Sequence, residues 1–125
     1  MSKWMKMNHD ELYSQLLQVT EHLSVPSRRK GMGFGSGTPE GIWYEASFLK
    51  IYEDYVRAHE AWLATDMKNR EATVEFLTAE KAVRDAFHML YTNMLDTNDL
   101  VTDEDLVAMT LPERRRRKSN PAVKS

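Results

Sequence analysis

The chain has 125 residues, of which 42% are hydrophobic and 29% charged. That is the length of one domain and too apolar a mixture for a fully disordered polypeptide. It contains no cysteine, which excludes a disulfide scaffold, thiolate zinc sites and a thiol nucleophile and fits a reducing compartment. The formal net charge of -2 conceals a split, since residues 1–112 carry 11 Lys and Arg against 18 Asp and Glu, whereas residues 113–125 carry 6 against 1.

Lys3 and Lys6 are followed by no apolar stretch of the kind a signal peptide needs,. No apolar run approaches the roughly 20 residues required to cross a bilayer. The expected location is cytoplasmic, without a membrane partner. Trp4, Met5 and Met7 precede the first element, as either a packed terminal staple or an exposed apolar patch.

The first predicted element is a helix over residues 9–23. Leu12, Leu16, Val19 and Leu23 recur at steps of four, three and four, one face of a 3.6-residue period,. Asn8 is placed to cap it, with Asp10 and Glu11 in the first turn, and Pro26 ends it,. Residues 24–41 hold Pro26, Pro39 and all five glycines. The run Gly31 to Gly37 is too costly for a helix at about 1 kcal/mol per glycine, so this segment is predicted to be a flexible Gly-rich loop.

A long helix is predicted over about 40–65, opened by Thr38, Pro39 and Glu40,. Ile42, Leu49, Tyr52, Val56 and Leu63 form its apolar stripe, widened by Phe48, Tyr55 and Trp62. Trp43 and Tyr44 pose the same question of packing or exposure as Trp4. Residues 65–70 break the pattern and predict a turn, with Asn69 capping a second long helix over about 70–95,. Its face is Phe76, Ala79, Val83, Ala86, Phe87, Leu90 and Met94, flanked by Leu77, Tyr91 and Leu95. A short helix at 103–109 follows, capped by Thr102 with Asp105 three residues on, docked by Leu106, Val107 and Met109 and stopped by Pro112,. Residues 113–125, with only Ala122 and Val123 as apolar content, are predicted to be a basic disordered tail.

Several short segments carry a resemblance. Val101-Thr102-Asp103-Glu104-Asp105 with Leu111-Pro112, preceded by Ala79-Glu80-Lys81-Ala82-Val83-Arg84 and by the spacing of Tyr52, Tyr55 and Trp62, resembles a group of uncharacterised small helical-bundle proteins of gut Bacteroidota over residues 48–123. The chain differs from that group at Thr110, where a Gly is common, and at Arg114 to Lys118, which replace a more neutral tail. The resemblance implies a helical bundle and no particular activity.

Each candidate for chemistry has a plainer alternative. The Gly31–Gly37 run lacks the preceding strand and the closing Gly-Lys-Ser/Thr of a phosphate loop,. His9, His22, His59 and His88 include a single Asp85-x-x-His88 and no second copy, so no metal centre is predicted. Glu80 near the apolar seam reads as an ion pair with Arg84 rather than a general base. No nucleophile–base pair emerges, so no enzyme activity, cofactor or catalytic residue is expected. The basic clusters Arg114, Arg115, Arg116, Arg117, Lys118 and Arg28, Arg29, Lys30 are the candidate polyanion-binding residues, since adjacent cations neutralise phosphates.

The sequence thus predicts an all-α small helical bundle over residues 1–112, with two long antiparallel helices, an N-terminal helix and a short C-terminal helix, followed by the tail at 113–125. Two long helices cannot cover wide aromatic faces alone, so either the first helix or a second copy of the chain must do so. The expected function is a non-enzymatic interaction or scaffold module with a protein partner, which includes the homodimer. The alternative is association with nucleic acid through the basic tail.

Overall fold

The computed structural model describes residues 7–111. Trp4, Met5 and the predicted tail, Arg114 to Lys118 included, lie outside the described residues. The described part is all helical, without a strand among the described residues. α1 spans His9–Leu23 and α2 Pro26–Gly31. α3 (Pro39–Trp43) runs through a π turn at Tyr44–Phe48 into α4 (Leu49–Ala64). α5 (Arg70–Leu90) likewise ends in a π turn at Tyr91–Asp96, and α6 is Asp103–Ala108.

The helix starts follow from short-range chemistry. Asn8 and Glu11 form a reciprocal capping box on α1, with bonds of 2.9 and 3.1 Å,. The Thr38 hydroxyl accepts the Gly41 N–H at 2.9 Å, and Asn69 Oδ1 accepts the Ala72 N–H at 2.9 Å. Thr102 and Asp105 form a second capping box on α6.

Three helix ends close in the same way, with the chain crossing over itself. After α2, Gly33 N–H donates to Lys30 O and Phe34 N–H to Arg29 O; after α4, Asp66 donates to Leu63 O and Met67 to Trp62 O; after α6, Thr110 donates to Val107 O and Leu111 to Leu106 O. This paired pattern needs a left-handed residue at the crossing point, where glycine is the usual occupant. Gly33 fills it after α2 at φ 88°, but Asp66 (φ 55°) and Thr110 (φ 55°) fill it elsewhere.

α4 and α5 form the antiparallel pair, in a register marked by the Trp62 Nε1–Thr73 Oγ1 hydrogen bond of 3.1 Å. α1 lies across one side of this pair. Leu12, Leu16, Val19 and Leu23 are fully buried, each contributing about 1.5–3 kcal/mol by leaving water. α6 docks at the far side of α1, where Gln15 Nε2 donates to Met109 O at 2.6 Å and to Thr110 Oγ1 at 2.8 Å.

Four expectations need correction. The segment 24–41 is not a loop throughout, because Pro26–Gly31 is helical and Met32 and Phe34 beyond it are buried in the core. The apolar stripe of the long helix is rotated: Tyr44, Phe48 and Tyr55 face inward, whereas Ile42 and Leu63 are 55% and 47% exposed. Aromatic rings won the interior because they remove more area from water than the aliphatic stripe beside them. Val107 does not help to dock α6, being 60% exposed, while Leu106 and Met109 do. Leu95, read as a flank, is fully buried beside the buried Met94, both within the π turn at Tyr91–Asp96.

Candidate functional site

Of the basic residues singled out in the sequence, Arg29 is not available to a phosphate. Its side chain is buried, donates to Leu23 O and pairs with Glu45 Oε2 at 2.8 Å. Its guanidinium lies 5.4 Å from the centre of the Tyr44 ring. The Ser36 hydroxyl, 2.6 Å from the same carboxylate oxygen, is the main cause that holds Glu45 below the ordinary carboxylate range; Arg29 adds to it against the opposing effect of desolvation,. Arg28 and Lys30 are exposed on either side of Arg29. Arg29 is therefore a core residue that ties α2 to the π turn at Tyr44–Phe48.

The glycines serve packing. A Cβ on Gly33 would lie 2.9 Å from Leu100 Cδ1, and one on Gly41 would lie 2.1 Å from Gly35 O. The loop is pressed against the start of α3 so closely that only hydrogen fits between them.

The histidines do more than the sequence suggested. His9 Nδ1 lies 2.6 Å from Glu80 Oε2, and Arg84 Nη2 lies 3.4 Å from Glu80 Oε1. Arg84 also donates to Met7 O at 2.7 Å, and Met7 is partly buried against the core. The Glu80–Arg84 pair is present as the spacing predicted, and His9 makes it a bridge between α1 and α5. His22 Nε2 meets Asp105 Oδ1 at 3.0 Å and so joins α1 to α6. His59 is buried and stacked on Tyr13 with ring centres 4.7 Å apart. Among the described residues, no group of three or more acidic or histidine side chains could hold a metal ion. Cross-element pairs such as His9–Glu80, separated by 71 residues, leave no local spacing signal.

Two buried phenols are left over. The hydroxyls of Tyr44 and Tyr55 find no hydrogen-bond partner among the described residues. Desolvation pushes both well above their ordinary value, although the Arg29 charge beside Tyr44 acts in the opposite sense,.

The surface left open lies on the side of the α4–α5 pair away from α1. α1 covers one flank through His9, Tyr13, Glu80 and Arg84. On the other flank a shallow groove of about 750 Å³ runs between the helices, walled by Ile51, Ala58 and Ala61 from α4 and by Val74, Ala79 and Ala82 from α5. Asp54, Arg57, Glu75 and Thr78 rim it. A second hollow of about 270 Å³ lies between α3 and the end of α5, lined by Pro39 and Trp43 on one side and by Met89 and Met94 on the other. Val74 and Met89 are 57% and 47% exposed. Sequence reading missed this groove because alanines on a helix look like ordinary helix formers. A pair of alanines three residues apart on each partner, Ala58 with Ala61 and Ala79 with Ala82, was the signal that could have shown it.

Compared with known protein families, with curated proteins and with solved structures, the chain matches none. Among the described residues, no helix is long and apolar enough to cross a membrane.

Proposed function

We propose that this chain is a non-enzymatic, cytoplasmic interaction module, and that it works through the groove between α4 and α5. The observation that carries this reading is an apolar channel open to solvent on a face that α1 leaves uncovered. Grooves of this kind accept an amphipathic helix, with small residues allowing close approach. The resemblance of residues 48–123 to a group of helical-bundle proteins supports the module without naming its partner.

The test is site-specific photocrosslinking in cells. A photoreactive residue replaces Ala82 in the groove and, as a control, exposed Glu21 on α1. Crosslinks from position 82 and not from position 21 are expected. Absence of any crosslinked protein from position 82 would reject the groove as a working surface.

The second reading is polyanion association through Arg114, Arg115, Arg116, Arg117 and Lys118, supported by five consecutive cations and by the exposure of Arg28 and Lys30. Binding to random-sequence duplex DNA and to RNA, titrated with salt, would compare the full chain with a version ending at Pro112. The reading requires binding that falls steeply with salt and vanishes on truncation; no binding at low salt removes it.

A further inference from the structure

We propose that the occupant of the α4–α5 groove is a second copy of this chain, seated by a two-fold axis that runs along the helix pair. The inference rests on the reading of the groove as the interaction surface and names its partner. It comes from how charge is distributed on the open face.

The Trp62–Thr73 hydrogen bond sets the register of the antiparallel pair. Counting back along α4 and forward along α5 at equal rise places Arg57 at the level of Thr78, close to Glu75, and Lys50 at the level of Asp85. On the open face α4 therefore presents Lys50, Asp54 and Arg57, and α5 presents Glu71, Glu75 and Asp85. The α4 side has a positive balance, and the α5 side, with Lys81 beside Asp85, has an acidic one.

A two-fold axis parallel to the helices keeps every residue at its own level and lays each α4 over the α5 of the second copy. Arg57 then meets Glu75 of the second copy, and Lys50 meets Asp85 of the second copy. Each contact occurs twice, because the interface is isologous. Within one chain Lys50 and Arg57 lie beside Asp54, and Lys81 lies 3.1 Å from Asp85. Those exposed pairs are weakly held and leave the side chains able to turn to the second copy. Between the charged rims, Ala58, Ala61, Ala79 and Ala82 let the helices approach closely, and exposed Val74 and Met89 gain burial,. The assembled core would be four helices around the two grooves, in the manner of a bundle.

Two single variants of the full chain and their mixture test this. Arg57→Glu sets acid against acid at both copies of the contact, and Glu75→Arg sets base against base. Each alone is expected to weaken self-association roughly tenfold or more, as read by sedimentation velocity over a concentration series. Mixed one to one, the two variants restore opposite charge at both contacts and are expected to form a heterodimer near wild-type affinity. Ala82→Arg, at an exposed helical position, is expected to give a folded monomer by circular dichroism.

A wild-type chain that stays monomeric at 100-fold different concentrations overturns the proposal, as do single variants that dimerise like wild type. Failure to recover the dimer on mixing does so too. A monomer that still gives groove crosslinks to another protein would sink the second-copy proposal and leave the groove reading standing; absence of both would remove the two together.

Discussion

Gly41 sits in the first turn of α3, where the loop beneath it leaves no room for a side chain. A methyl placed 2.1 Å from a backbone oxygen cannot be relieved by a rotamer change. Gly41→Ala should lower stability by about 1–3 kcal/mol or more, read as a shift of the urea midpoint, even though alanine favours helix over glycine elsewhere. Asp66 tests the opposite case. It occupies the left-handed crossing point after α4, where any Cβ costs about 1 kcal/mol,. Asp66→Gly should therefore stabilise the protein by up to that amount in the same measurement. Tyr55 is fully buried and its hydroxyl has no partner among the described residues. Tyr55→Phe removes that desolvated group with little change of shape and should leave thermal stability unchanged or raise it by about 1 kcal/mol.

At the scale of elements, α6 is a six-residue helix that could not persist alone,. Asp105 holds it twice, through the cap at Thr102 and through His22 on α1. Desolvation would raise this carboxyl, but the Thr102 backbone and the His22 side chain outweigh it and hold it below its ordinary 3.8. A carboxyl depressed in the folded state lends stability above its unfolded value and loses it as pH falls through the folded one. Acid titration of wild type should therefore loosen α6, seen as faster amide exchange at Leu106 and Met109. Asp105→Asn should already exchange faster at neutral pH and show less change on acidification.

Local rules found the capped helices because their signals are local, and missed α2, whose start has no side-chain cap. Caps at Asn8, Thr38, Asn69 and Thr102 are each within three residues of the donor they satisfy, so spacing alone reveals them. The inward face of α4 was legible only in part, since Tyr55 and Phe48 compete with Leu49 and Leu63 for the interior and three-dimensional packing decides between them. The π turns were hidden for a related reason: no residue type marks them. Arg29 read as part of a basic cluster because its partner Glu45 belongs to another element. The groove was the least legible feature, being defined by what α1 fails to cover.

The described fold is closed by a contact between α1 and the residues that follow α6 rather than by a neighbouring pair. Gln15 reaches the carbonyl of Met109 and the side chain of Thr110. Thr110 is a β-branched residue held at φ 55°, and its hydroxyl in that strained place is what Gln15 meets. Gln15→Ala leaves the Met109 carbonyl without this donor and should cost about 1–3 kcal/mol in global unfolding. The dependence of stability on denaturant should stay the same, because the surface exposed on unfolding hardly changes.

That contact also sets an order of events on the ribosome. Gln15 is made before the group it needs, which lies 95 residues further along. At about 5–20 residues per second, Gln15 waits on the order of 5–20 s for that partner. This contact is closed after the helices between its partners have been made, and for that interval Gln15 stands exposed on the nascent chain.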